Sequence, residues 1–211
     1  MDERSLTVTA VRTVGPDAVA IDVETPDGFS AQPGQFVKLT LDVDGEDESR
    51  FYTISSPDVD GGFEMTVGID PDGAVAPHLA DLEAGDTVRI SGPFGSDYYE
   101  GEARAVLLAG GPGIGPAIGI AERALADGNE AAVVYQDEAP IHEDRLDALR
   151  EAGALVRVLD GDADLTDAVA EATGEGGQVF IYGFADFLDD ATAALEVAGV
   201  DTDDAKVENF G

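Results

Sequence analysis

Three side chains within four residues can act together: Arg50, Tyr52 and Thr53, in the run Arg50-Phe51-Tyr52-Thr53-Ile54-Ser55-Ser56-Pro57. A guanidinium can clamp a phosphate, a phenol ring can lie against a flat heterocycle, and a hydroxyl can hydrogen-bond its edge. On a strand, Arg50 and Tyr52 point to one face and Thr53 to the other. The same residues also suit an edge strand with an exposed arginine and a half-buried tyrosine, and this segment alone leaves both readings open.

A second run, Val106-Leu107-Leu108-Ala109, leads into Gly110-Gly111-Pro112-Gly113-Ile114-Gly115-Pro116. Glycines permit positive φ and a close backbone approach to a pyrophosphate. A helix starting there adds unpaired N–H groups and the positive end of its dipole. The pattern differs from the G-x-G-x-x-G dinucleotide fingerprint. A bare strand-to-helix turn remains the alternative.

The elements around these runs divide into two rhythms. Up to about Gly95, short alternating or β-branched segments recur at 6–11, 18–23, 36–41, 50–55, 63–69 and 86–91, bounded by Gly, Pro or Asp. This spacing predicts a closed or nearly closed antiparallel barrel, with one short helix near 76–82. Beyond Gly92-Pro93-Phe94-Gly95 the pattern becomes strand 105–109, helix 116–126, strand 131–135, helix 142–152, strand 155–159, helix 165–172, strand 179–182, helix 187–198 and strand 205–210. Strict β/α alternation predicts a doubly wound parallel sheet. The expected division is a barrel domain over 1–98 and an α/β domain over 99–211.

Composition narrows the classes. There are 45 Asp and Glu against 11 Lys and Arg, a net charge of −34, and the only lysines are Lys38 and Lys206. The excess is dispersed rather than gathered in a tail, and is similar to that of proteins from salt-loving archaea. Such a charge repels itself in dilute buffer, whereas near 1 M salt the Debye length is roughly 3 Å. It argues against nucleic acid and against anionic membranes as partners. With no cysteine, disulfides and iron–sulfur ligation are excluded, and no metal ligands are assigned. The start, Met1-Asp2-Glu3-Arg4, has no signal-peptide character, and no run approaches the ~20 apolar residues of a spanning helix, so a cytoplasmic protein is expected.

The order of these motifs carries a resemblance that covers essentially the whole chain. Arg-Phe-Tyr-Thr is followed by a strand, by Asp72-Gly73-Ala74-Val75-Ala76-Pro77-His78-Leu79, by Asp86-Thr87-Val88-Arg89-Ile90-Ser91-Gly92-Pro93-Phe94-Gly95, and then by the glycine-rich turn. The set resembles the ferredoxin-reductase family of flavoproteins in its compact two-domain form, with a flavin-binding barrel and a nicotinamide-binding α/β domain. The resemblance implies that Arg50 binds the flavin phosphate, Tyr52 packs beside the isoalloxazine and Thr53 hydrogen-bonds its edge near N5. Val67, Gly73, Val75 and Ala76 would line the flavin site, and Gly110, Gly111, Gly113, Ile114 and Gly183 the nucleotide site. The ending Lys206-Val207-Glu208-Asn209-Phe210-Gly211 is similar to the family's Glu-x-Phe-Gly, in which Phe210 covers the ring and Glu208 lies near the nicotinamide. A plain hydrophobic plug is the alternative for Phe210.

FAD is the flavin implied. Asp137 and Glu138, at the tip of the second α/β strand, suit a ribose hydroxyl, whereas a 2′-phosphate requires cations, so NADH is favoured over NADPH. Three departures stand out. Ala76 lacks the hydroxyl usual toward the flavin pyrophosphate, Tyr182-Gly183-Phe184 replaces Cys-Gly, and no iron–sulfur extension is present. His78 and His142 read as structural, and Glu122, Arg123 and Glu143-Asp144-Arg145 as solvated helix faces. The activity implied is hydride transfer from NAD(P)H to FAD and onward to an acceptor such as an acidic ferredoxin, docked through Arg89 or Arg104. A flavin-bearing subunit of a larger complex and a non-catalytic nucleotide-binding module are the alternatives.

Overall fold

The computed structural model describes residues 2–211, so Met1, first residue of the expected barrel domain, lies outside the described residues. Residues up to Phe94 form six antiparallel strands: β1 (Arg4–Gly15), β2 (Ala18–Glu24), β3 (Phe36–Val43), β4 (Glu46–Thr53), β5 (Gly62–Gly68) and β6 (Thr87–Phe94). They are ordered β4-β3-β6-β1-β2-β5. The two edges meet just past β4, where Ile54 bridges Met65 and the Ser55 N–H donates to the Glu64 carbonyl at 2.8 Å. That contact curls the sheet into the expected barrel. Alternation supplies its core: Leu6 and Val8, Ile21 and Val23, Val37 and Leu39, Met65 and Val67 all point inward. The single turn of α1 (Ala76–Ala80) adds Leu79 to it.

Residues 95–103, without helix or strand, lead to β7 (Arg104–Gly110) and a 3₁₀ turn over Gly111–Gly113. There follow α2 (Ile114–Ala126), β8 (Glu130–Gln136), α3 (Glu143–Glu151), β9 (Leu155–Leu159), α4 (Thr166–Thr173), β10 (Gln178–Gly183), α5 (Ala185–Val197) and β11 (Lys206–Asn209). The sheet is parallel throughout, in the order β11-β10-β7-β8-β9. Leu107, Val133 and Phe180 face the core under α2 and α3, while Val106, Val134 and Ile181 face the core under α4 and α5. Coverage of both faces is why β7 reads as a continuous apolar run. Helix α2 begins two residues before the expected start, because Pro116 is tolerated in a first turn, where its missing N–H leaves no bond unmade. Among the described residues no helix is long and apolar enough to cross a membrane.

Candidate functional site

The chain order reverses between β7 and β10, and in open parallel sheets ligands bind outside the carboxyl ends of the strands at such a point. Here that crevice meets the end of β4. A cleft of 360 Å³ opens between the two sheets, with Phe51, Tyr52 and Thr53 on one wall, Thr66 and Gly68 on another, and Pro112, Phe184 and Phe210 opposite. Burial pushes the Tyr52 phenol up to about 12, so at neutral pH it presents a protonated, uncharged ring.

Thr53 and Glu208, given separate roles by the resemblance, are brought together. The Thr53 hydroxyl donates to the Glu208 carboxylate, with both oxygens 2.9 Å away. β11 pairs with β10 so that Glu208 lies beside Tyr182, and the Phe210 N–H donates to the Gly183 carbonyl at 3.0 Å. Burial raises the Glu208 carboxyl to about 7; the Thr53 hydrogen bond opposes this and the charge of Asp97 adds to it. The Phe210 ring meets Phe184 edge-on at 6.3 Å and 89°, and Tyr182 at 6.5 Å. Tyr182 itself is fully buried, and its hydroxyl has no hydrogen-bond partner among the described residues.

A second cleft, of 310 Å³, adjoins the first. Its walls include Gly110, Gly111, Asp137 and Glu138, with Asp186 and Asp190 from α5, and Phe184 is shared by both clefts. The glycines of the turn differ in what they do. Gly111 has φ +56, and a Cβ there would meet only Asp137 Oδ2 at 4.0 Å, which leaves room for a close backbone approach. A Cβ on Gly113 would lie 2.3 Å from the Tyr182 carbonyl oxygen, and one on Gly110 or Gly183 would strike the Phe187 ring. Those three glycines serve packing. Asp137 accepts from the Tyr135 hydroxyl and the Ala139 N–H, both at 2.9 Å, which braces the loop after β8.

Several expected site residues do not place their side chains in the first cleft. The side chains of Val67 and Val75 lie in the barrel core, and that of Ile114 lies in the core under α2, so only their main chain can face a ligand. Arg50, Gly73 and Ala76 are outside the walls of the 360 Å³ cleft. The Arg50 guanidinium turns along its own strand, 2.8 Å from the Ser49 carbonyl and 3.3 Å from Glu48. Arg89 is paired with Asp47, and Arg104 donates to the carbonyls of Ala172 and Gly176, so both proposed docking cations have internal partners.

Arg145 and Glu122 are not solvated helix faces. Arg145 bridges Glu64 of the barrel, at 2.7 Å, and Glu122 of α2, at 2.8 Å. Beside them the His142 ring nitrogen Nε2 lies 2.9 Å from the Thr66 hydroxyl, which lies 3.0 Å from that of Ser55. Burial, with Arg145 and Arg12 adding repulsion, lowers the imidazole to about 3, which keeps it neutral. One signal for Arg145 was available in the sequence. With 45 acids to 11 cations, an arginine on a helix beside the apolar Leu146 and Leu149 is placed to find an acid at the edge of a core.

Residues 5–99 match the family model of the oxidoreductase FAD-binding domain. The match covers the barrel half of the chain. The chain is 29% identical over 150 residues to the toluate 1,2-dioxygenase electron transfer component of Pseudomonas putida, an alignment covering 67% of this chain and 44% of that one. Its fold superposes with a TM-score of 0.85 on the FAD/NAD-binding domain of nitric oxide dioxygenase from Vibrio cholerae, at 21% identity and full coverage of both chains. The TM-score is 0.83, at 19% identity and again with full coverage of both, for a ferredoxin NADP+ reductase from Neisseria gonorrhoeae with bound FAD and NADP. The chain spans less than half the length of the curated relatives it matches. The cleft fits a flavin ring: aromatic side chains on opposite walls suit a flat heterocycle, and Thr53 offers a hydroxyl to its edge.

Proposed function

We propose that the protein is a flavin-dependent oxidoreductase that takes hydride from NADH and passes the electrons to an acceptor. The observation that carries this reading is the Thr53–Glu208 pair in a cleft bounded by Tyr52 and Phe210, with the Gly111 cleft adjoining it. In this reading residues 1–98 bind FAD and residues 99–211 bind the nicotinamide nucleotide.

Bound FAD would supply hydride acceptance and the release of electrons in ones or twos. The chain's own residues orient and insulate. Tyr52 and Phe210 hold the ring between apolar faces and keep water from it. The Thr53 hydroxyl, whose proton goes to Glu208, would accept a hydrogen bond from the ring edge, and Glu208 would take or give a proton near neutral pH. Arg50, half exposed near the end of β4, is assigned to the flavin phosphate. Main-chain N–H groups at Val75 and Ala76 stand in for the hydroxyl that Ala76 lacks, since that of Gly73 donates to the Asp70 carbonyl at 3.0 Å. Four carboxylates line the second cleft, from Asp137, Glu138, Asp186 and Asp190, with no lysine or arginine in its walls. A ribose 2′-hydroxyl suits that wall and a 2′-phosphate does not.

A second reading is supported by relatives described as electron transfer components or subunits: the protein is the reductase part of a larger oxygenase-type system, with a ferredoxin or a partner's redox centre as acceptor. The charge of −34 supports work in a salt-rich cytoplasm. The test is the visible spectrum of protein purified in concentrated KCl, reconstituted with FAD and mixed anaerobically with NADH or NADPH. Flavin bands that bleach at least about tenfold faster with NADH support the reading, since a missing or mismatched charge contact is worth a kcal/mol or more. Failure to retain FAD, or bleaching by neither nucleotide, sinks it. Turnover that appears only with an added acceptor protein selects the second form.

A further inference from the structure

The two sheets meet across side chains that the chemistry above does not use, and Arg145, in the first turn of α3, is their centre. Its Nη1 donates to Glu64 Oε1 at 2.7 Å. Its Nη2 donates to the Ser55 carbonyl at 2.9 Å and to Glu122 Oε2 at 2.8 Å, and its Nε to Glu122 Oε1 at 2.9 Å. Glu64 is on β5, Ser55 lies just past β4, and Glu122 is on α2. One planar guanidinium therefore ties two barrel segments to the helix that starts at the glycine-rich turn. Because its donors are fixed in direction, the tie sets an angle as well as a distance.

The tied atoms lie next to the site. Ser55 follows Thr53 by two residues, Glu64 precedes Thr66 by two, and both threonines line the cleft. The joint around them is tight. A Cβ on Gly115 would sit 2.3 Å from the Thr66 hydroxyl, and one on Gly119 would sit 2.9 Å from the Ser55 carbonyl. His142, with left-handed backbone at φ +57, adds its contact to Thr66 from the same end of α3.

We propose that Arg145 is a positioning residue, which registers the Thr53 end of β4 against the glycine-rich turn and so sets the spacing between a ring in the first cleft and a nucleotide in the second. This rests on the functional reading for its consequence, though not for its geometry. Removing the guanidinium leaves no buried acid alone, because Arg12 Nη2 still lies 2.6 Å from Glu64 and the Glu122 side chain is 29% exposed to water.

With no native cysteine, Asp60→Cys on the barrel and Glu196→Cys on α5, both exposed, give a clean spin-labelled pair. Electron–electron resonance distances, with and without FAD, are expected to be narrow in the parent, broadened or displaced in Arg145→Met, and nearer the parent in Arg145→Lys. Anaerobic flavin reduction by NADH in Arg145→Met is expected to slow by about tenfold or more with little change in KM, as misplacement by an ångström does. Dithionite reduction should be unaffected. Should Arg145→Met not fold, Glu122→Ala breaks the α2 half of the tie and is read the same way. Unchanged distances in the folded variants overturn the proposal. A parent that NADH does not reduce overturns the functional reading instead, while the distances still decide the role of Arg145.

Discussion

The hydroxyl of Thr53, the last residue of a barrel strand, donates to the carboxylate of Glu208 on the last strand of the parallel sheet, 155 residues away in sequence. Each half of the molecule thus contributes one member of the polar pair in the cleft. Neither half holds it alone.

The pair carries a pH dependence. Burial raises the Glu208 carboxyl from 4.5 to about 7. Between those values the folded protein holds a proton that the unfolded chain has released. The contribution is fully present below 4.5 and is lost as pH rises through 7. Glu208→Gln should flatten this slope, removing up to about 3 kcal/mol of the stability change between acid and neutral pH. Urea denaturation of both proteins at about pH 5 and pH 8 measures it. An unchanged slope in the variant would show that other groups carry it. Flavin reduction by NADH should likewise lose its step near pH 7.

Phe184 holds Phe210 edge-on at 6.3 Å. Such pairs are worth about 0.5–1.5 kcal/mol beyond their burial. If Phe210 yields the ring face to the nicotinamide, Phe184→Ala should lower the apparent KM for NADH by about two- to tenfold. A KM that rises or stays constant would count against the aromatic pair as a barrier to entry.

Gly115 is set against the barrel. A methyl group there would lie 2.3 Å from the Thr66 hydroxyl and 2.5 Å from that of Ser55. Alanine gains about 1 kcal/mol in helix propensity, yet overpacking typically costs 1–3 kcal/mol, roughly the same or more. Gly115→Ala is therefore expected to lower the denaturation midpoint, and a raised midpoint would mean that the two layers yield readily.

The charge of −34 predicts a melting temperature that climbs with KCl from about 0.1 M to 2 M as repulsion between surface carboxylates is screened. Replacing KCl with an equal osmolality of sucrose separates charge screening from solute exclusion. A flat KCl profile would assign the acidic surface to solubility alone.

The sequence made the architecture legible because period two and strict β/α alternation act locally. The continuous apolar run of β7 and the inward Leu6, Val8 and Ile21 follow directly. The cleft was legible where motifs sit at strand ends, as with Tyr52, Thr53 and Phe210. For Val67, Val75 and Ile114 the resemblance marks places where the main chain nears a ligand, while their side chains follow the core. Arg145 with Glu64, and Gly115 with Ser55, were hidden for another reason. A contact between elements 81 or 60 residues apart leaves no period in the chain.

Phe184 belongs to the walls of both clefts, and a side chain shared in this way is a thermodynamic link. If a nucleotide beside Gly111 shifts the Phe184 ring, the free energy of that shift enters the affinity of the neighbouring cleft, and reciprocity requires the same factor in the opposite direction. Titrating FAD in the presence and absence of NAD+, and NAD+ in the presence and absence of FAD, should therefore close a cycle with one coupling constant. Its size measures how far this aromatic ring makes two binding events one.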